Sequence, residues 1–367
     1  MQPAGAVACR ARGAATARHA GTAYRAGVAV AALSLLLAAC GPSPDALVEH
    51  RLLAMATWVD LTLPARATLE HPALIAEIES ELAAFGNDYY AWGDGELARL
   101  NRALGATGRF EASPAMAALL ERAAEVAAAS DGAFDPGVGA LVELYGFNDA
   151  TRPPVAPPDG TALAATLAAF GSIRNLDVDG TALAAPPGRY AFDLGGIAKG
   201  AAVDRVVERL TALAIAPALV NAGGDLRVLG SRPDRPWRIG IQDPRGDGLL
   251  GTLALGPGEA AFSSGDYERF VDRDGERLHH IIDPRTGTPA AHTRAVTVIA
   301  GDGVTADAAA TALFVAGPAD WRRVAARLGI VLALRVDAAG TLEMTPAMRD
   351  RFEPGPGAGA AIIRADP

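Results

Sequence analysis

Five short segments of this chain carry residue types that can do chemistry together. Phe192-Asp193-Leu194-Gly195-Gly196-Ile197-Ala198-Lys199-Gly200 leads from a strand-like stretch into an amphipathic helix. Glycines there let the main chain approach a ligand, the unpaired N–H groups of a helix start favour phosphate, and Lys199 would add a point charge. A glycine pair before a helix can also be only a tight turn, and the spacing fits neither GxGxxG nor the P-loop. Asn221-Ala222-Gly223-Gly224-Asp225 follows an apolar strand and taken alone reads as a hairpin turn. Ser263-Ser264-Gly265-Asp266-Tyr267-Glu268-Arg269 precedes His279-His280-Ile281-Ile282-Asp283-Pro284-Arg285-Thr286-Gly287. A histidine beside hydroxyls and carboxylates can take a proton from an attacking alcohol. The run Asp283 to Gly287 also reads as a turn between strands, with the histidines at a strand end. Four of the six histidines lie elsewhere, so the pair is not a product of composition. Thr305-Ala306-Asp307-Ala308-Ala309-Ala310-Thr311 opens a helix in which Asp307 and Thr311 share a face. One carboxylate and one hydroxyl form a sparse oxygen set that suits Mg²⁺, which keeps waters and takes further oxygens from phosphates or carbonyls. Alone, Asp307 reads as a first-turn carboxylate answering the helix dipole.

The elements that must position these groups follow from periodicity. A strand-like stretch, His50 to Thr62, precedes a helical pattern from Pro72 to Phe85 with Leu74, Ile75, Ile78 and Leu82 on one face. A second helix is expected from Ser113 to Ser130, with Ser113 as N-cap and Pro114 in the first turn. A proline-rich connection, Thr151 to Asp159, leads to a short helix from Leu163 to Phe170. From Gly188 strands and turns dominate, broken by helices at Ile197 to Ala214, Ala306 to Val315 and Pro318 to Leu328, with a strand at Val331 to Val336. No regular βαβ alternation, fixed-period repeat or heptad run is visible, so the fold class is α+β, with mixed sheets and packed helices.

The net charge of −9 argues against a nucleic-acid partner bound through a basic surface, and it means that a polyanionic ligand needs local positive charge or a metal. Arg10, Arg12, Arg18 and Arg25 precede an uncharged apolar run, Ala26 to Ala39, that is short for a bilayer span. It ends at Leu37-Ala38-Ala39-Cys40, which reads as a signal peptide (residues 1–39) cut ahead of a cysteine that receives lipid. A start codon downstream of Met1 would suit the long charged region. Residues 40–49, with Gly41-Pro42-Ser43-Pro44, would form a lipidated tether. Residues 50–353 would form one domain, and 354–367 a flexible Pro/Gly/Ala tail. The expected location is exported and membrane-anchored, facing the periplasm or cell exterior, and Gly41 in place of Asp argues against retention in an inner membrane. The only cysteines are Cys9 and Cys40, so the mature chain would have no disulfide and its core must hold the fold.

Taken together and in order, FDLGGIAKG with Asp204 beyond it, NAGGD, SSGDYERF, HHIIDPRTG and TADAAATAL resemble the ApbE family of FAD:protein FMN transferases. The segments Gly95 to Asn101 and Phe134 to Leu141, with Tyr145-Gly146-Phe147, echo it upstream. The resemblance implies a fold related to the tunnelling fold, FAD as substrate in a cleft, Mg²⁺ on its pyrophosphate, and FMN joined by a phosphoester to a Ser or Thr of an exported or membrane acceptor protein. It implies Asp307, Thr311 and the Gly196 carbonyl as metal ligands. Lys199 and the Gly195-Gly196 turn after Asp193 would hold the pyrophosphate, and His280 would activate the acceptor hydroxyl. Asp283 would orient His280 or shape the turn, and Ser264, Gly265 and Tyr267 would line the flavin side.

The chain departs from the family pattern in its amino-terminal half. Met55-Ala56-Thr57 stands where Met-Gly-Thr is usual, Gly95 replaces Ser, Gly137 replaces Thr and Tyr145 replaces Trp. Met55 remains a candidate flavin contact, and Tyr90 or Trp92 a candidate stacking partner. Water in place of the acceptor would give FMN and AMP. A lipoprotein that only stores FAD is the reading from outside enzymology.

Overall fold

The computed structural model describes residues 43–149, 157–186, 188–273, 276–355 and 363–365. The leader, Cys40 and most of the proline-rich connection lie outside them. The chain divides into Met1–Ala46 and Leu47–Pro367. In the first part, Ala46 N–H donates to the Ser43 carbonyl at 2.8 Å.

In the second part the β-rich sequence builds a nine-stranded sheet. Its strands, in spatial order, are Leu47–Ala54, Thr57–Pro64, Ala218–Ala222, Asp225–Leu229, Ala260–Gly265, Thr293–Ala300, Leu332–Asp337, Leu342–Met344 and Ile363–Ala365. Neighbours are antiparallel except the last pair, which is parallel. Alternation assigns the faces. Leu61, Val220, Phe262 and Val298 point to one side, where they join Val203 and Val206 of the Ala198–Ala212 helix and Leu313 and Phe314 of the Gly303–Arg327 helix. Leu226, Ala261, Ile299 and Leu334 point to the other, against Trp237, Leu253 and Phe352 of a three-stranded sheet. Full burial of one such Phe or Leu is worth roughly 1.5–3 kcal/mol, so this two-sided core suffices without disulfides.

Three expectations need correction. The strand-like stretch His50 to Thr62 is two strands of a hairpin whose turn residues, Met55 and Ala56, have φ of 50° and 58°. Two successive left-handed residues are what a tight hairpin needs, and no Asn or Gly announced them. The tail read as flexible from Pro354 returns at Ile363–Ala365 to pair with Leu342–Met344. Glu96–Thr107 is a helix capped by Gly108 at φ 69°, an element that the motif reading of Gly95 to Asn101 did not delimit. The two helices expected at Ala306 to Val315 and Pro318 to Leu328 are both present, since the span Gly303–Arg327 breaks at Gly317 (φ 67°) ahead of Pro318.

Two helices that carry candidate residues touch backbone to backbone. A Cβ on Gly200 would stand 2.2 Å from the Gly303 carbonyl oxygen, and Gly303 N–H donates to Asp204 Oδ1 at 2.7 Å. Asp204 also accepts from Val304 N–H at 3.0 Å and from Arg227 at 2.8 Å, tying the start of one helix to the flank of the other. Gly200→Ala should therefore destabilise the protein by about 1–3 kcal/mol despite alanine's better helix propensity, because backbone cannot yield as a side chain can. A urea midpoint equal to or above that of the wild type would disprove the close approach.

Candidate active site

The first turn of the Ala198–Ala212 helix, the carboxyl end of the Ala260–Gly265 strand and the first turns of the Gly303–Arg327 helix converge on one cleft. Asp193, Gly195, Gly196, Lys199, Ser264, Gly265, His280, Asp307 and Thr311 all line it. Segments up to 178 residues apart in the chain thus meet in one wall, as Ala133 and Thr311 show.

Asp307 is buried, and its Oδ2 accepts the Gly200 N–H at 2.9 Å. Burial pushes its carboxyl up to about 7; Lys199 opposes the rise, and Asp225 and Glu268 add to it. One turn on, the Thr311 hydroxyl lies 3.1 Å from Ser264 Oγ. Gly196 is pressed against Thr311, since a Cβ there would stand 3.0 Å from Thr311 Oγ1 and 3.4 Å from the Phe134 ring. Gly195 N–H donates to Asp193 Oδ1 at 2.9 Å, which fixes the glycine turn.

Lys199 pairs with Asp225. Burial alone would pull the ammonium down, but Asp225, Asp307 and Glu268 hold it above its ordinary value. Asp225 follows the Gly223-Gly224 turn (φ 65° and 104°) and also accepts the Ser263 N–H at 2.8 Å. The NAGGD segment is thus a hairpin turn, and it also delivers the counter-charge of Lys199.

His280 hangs from the Arg269 carbonyl, which accepts its main-chain N–H at 3.1 Å and its Nδ1–H at 3.3 Å. A carbonyl only accepts, so the proton sits on Nδ1 and Nε2 keeps a free lone pair. Burial, helped by Arg269 and His279, brings the imidazole down to about 3, so it is neutral near pH 7.

His279 faces the core instead. Its Nε2–H donates to the Ala290 carbonyl at 3.0 Å, its Nδ1 accepts from Ile281 N–H at 3.3 Å, and its ring meets Phe314 edge-on. Burial lowers it to about 4 from an ordinary 6.5. As pH falls from about 6.5 to about 4, the unfolded chain binds a proton that the folded one refuses, so stability drops through that window. The loss should reach about 2–3 kcal/mol between pH 7 and 4.5. Urea unfolding should show a pH slope shallower by that amount in His279→Gln than in the wild type, the remainder coming from the likewise lowered His280; identical pH slopes would contradict it.

Other candidates fall outside the cleft. Asp283 does not touch His280, because its carboxylate accepts from the Arg285 side chain at 2.8 and 2.7 Å and from Arg285 N–H at 2.9 Å; it shapes the turn. Tyr267 packs over Gly265, whose Cβ would strike its ring at 2.2 Å, and against the core on the far side of the sheet. Met55 sits in the hairpin turn beside Gly86. Tyr90 donates to the Asn148 carbonyl at 3.3 Å and meets Trp92 edge-on at 5.7 Å. Trp92 touches the cleft only indirectly, through the cluster of Leu141, Val142, Tyr145, Phe147 and Ile282.

Phe134, Asp135, Glu268 and Arg269 also line the wall; they lie in the motif segments Phe134 to Leu141 and Ser263 to Arg269, but nothing in the residue pattern marks these four positions as lining. Asp135 is buried and saturated: it accepts from Gly137 N–H at 2.9 Å, from Ile173 N–H at 3.0 Å and from the Ser172 hydroxyl. Its role is to fix the loop that carries Phe134.

The helix-backed sheet with this cleft at its helix starts is the fold of solved flavin transferases. The ApbE protein of Thermotoga maritima superposes with a TM-score of 0.75 at 32% identity, over 84% of this chain and 100% of that one. The flavin transferase ApbE of Vibrio cholerae does so with a TM-score of 0.75 at 29% identity, over 84% and 100%. The ApbE family model matches residues 55–334, and the chain belongs to that family. A Rhodobacter capsulatus protein named FAD:protein FMN transferase is 40% identical over 312 residues, 85% of this chain; the match spans 59% of that relative's length.

Proposed function

We propose that the protein transfers the FMN half of FAD to a Ser or Thr hydroxyl of an acceptor protein and releases AMP. The observation that carries this is one wall holding a glycine turn at a helix start, Lys199, the Asp307–Thr311 pair and a neutral His280. The family membership supports it.

Among the described residues no group of three or more His, Cys, Asp or Glu could hold a metal. The set at hand is instead one buried carboxylate, one hydroxyl and the Gly196 carbonyl, all hard oxygens, in a cleft lined by Asp135, Asp193, Glu268 and Asp307 against Lys199 and Arg269. That fits Mg²⁺, which accepts few protein ligands and completes its shell with water and phosphate. Asp307, Thr311 and the Gly196 carbonyl would hold it, and it would neutralise diphosphate charge. Lys199 places a further positive charge beside the Gly195-Gly196 turn. The acceptor oxygen attacks the phosphorus of the FMN half, its proton passes to His280 Nε2, and the bond to the bridging oxygen breaks with its electron pair leaving on AMP. Such a displacement asks the protein mainly for positioning and charge neutralisation.

The Arg-rich leader, the apolar run and Cys40 support an exported protein held at a membrane by lipid on Cys40 and facing the periplasm. Among the described residues no helix is long and apolar enough to cross a membrane.

The test is to mix the purified protein with FAD, Mg²⁺ and a candidate acceptor, then read flavin fluorescence on the acceptor in a denaturing gel alongside AMP release. One AMP per labelled acceptor is expected. Free FMN and AMP would mean hydrolysis, and intact FAD bound stoichiometrically would mean storage; either overturns the transfer reading.

A further inference from the structure

Two cations line the cleft, Lys199 and Arg269. Lys199 is committed to Asp225 and stands among Asp307 and Glu268. Arg269 makes no side-chain hydrogen bond or ion pair with any described residue. Arg269 lines the same wall as Asp193, Glu268 and His280, and its charge is felt at all three. Its carbonyl orients His280 through two hydrogen bonds. Arg269 and His280 thus stand side by side at the open end of one hairpin, just before Phe270–Arg273 and just after its partner strand Glu276–His279.

We propose that Arg269 is a catalytic residue of the transfer, its guanidinium binding the non-bridging oxygens of the phosphate under attack. This rests on the FMN-transfer reading above. The placement follows from chemistry: the base must adjoin the attacking hydroxyl, the hydroxyl must adjoin the phosphorus it attacks, and Arg269 is tied to the base. The planar guanidinium fork matches two phosphate oxygens, and it is the wall's one cation without a protein partner among the described residues. When the acceptor oxygen bonds to phosphorus and the bridging P–O bond opens, charge spreads over those equatorial oxygens. A guanidinium there binds the transition state more tightly than bound FAD.

The test uses the full protein with FAD, Mg²⁺ and an acceptor that the wild type labels. Arg269→Gln should slow single-turnover labelling by roughly 10²- to 10³-fold, while the FAD dissociation constant, read by flavin fluorescence, changes less than about tenfold. Arg269→Lys should recover part of the rate. Free guanidinium at tens of millimolar should accelerate Arg269→Ala and not the wild type, a response that a purely structural role would not give. The main-chain carbonyl that holds His280 persists in every variant. A wild-type rate in Arg269→Gln overturns the assignment, as does a loss of rate matched by an equal loss of FAD affinity. Failure of the wild type to label any acceptor would instead strike the underlying transfer reading.

Discussion

Asp307→Ala is expected to lower Mg²⁺-dependent FMN transfer by roughly a thousandfold, equivalent to about 4 kcal/mol of lost transition-state stabilisation. The effect on folding should be far smaller. The substitution leaves the Gly200 N–H without its acceptor, a cost of about 1–3 kcal/mol, but it removes a buried charge crowded by Asp225 and Glu268. The two changes offset one another. Asp307→Asn separates the roles more cleanly, because its carbonyl can still accept from Gly200 while the negative charge is gone. Both variants should unfold near the wild-type urea midpoint and respond little to added Mg²⁺. A variant that keeps full Mg²⁺-stimulated activity would remove Asp307 from the metal site.

His280→Ala should slow transfer by about 10²- to 10⁴-fold with FAD binding retained. The imidazole contributes a lone pair that is available because Nδ1–H is held by the Arg269 carbonyl. His280→Gln can still donate to that carbonyl and cannot take a proton, so it should be about as slow as the alanine variant. Transfer at the wild-type rate by the glutamine variant would show that the ring only positions the acceptor.

The groups that converge in the cleft were legible because each is announced by neighbours along the chain. Gly195-Gly196 before a helix and Asp307 one turn from Thr311 are local patterns, and local patterns survive folding. What the sequence could not show is pairing over distance. Asp225 is 26 residues from Lys199, and nothing in NAGGD says which cation its carboxylate meets. The same limit applies to Asp283: the sequence allows it to orient His280 or to close a turn, and only the position of Arg285 decides for the turn. Tyr267 is two residues from Gly265, and in an extended strand that spacing predicts a shared face. The chain leaves the strand at Gly265, and the ring folds back over that glycine. The amino-terminal aromatics were the least legible, since Tyr90 and Trp92 lie between helices where no periodicity fixes a side.

A crystal grown with FAD and Mn²⁺ in place of Mg²⁺, examined by anomalous scattering at the manganese edge, tests the central claim most directly. The account predicts a manganese peak about 2.0–2.3 Å from a carboxylate oxygen of Asp307 and from Thr311 Oγ1, with the FAD diphosphate touching the same ion. A manganese ion and diphosphate bound away from the start of the Gly303–Arg327 helix would contradict it.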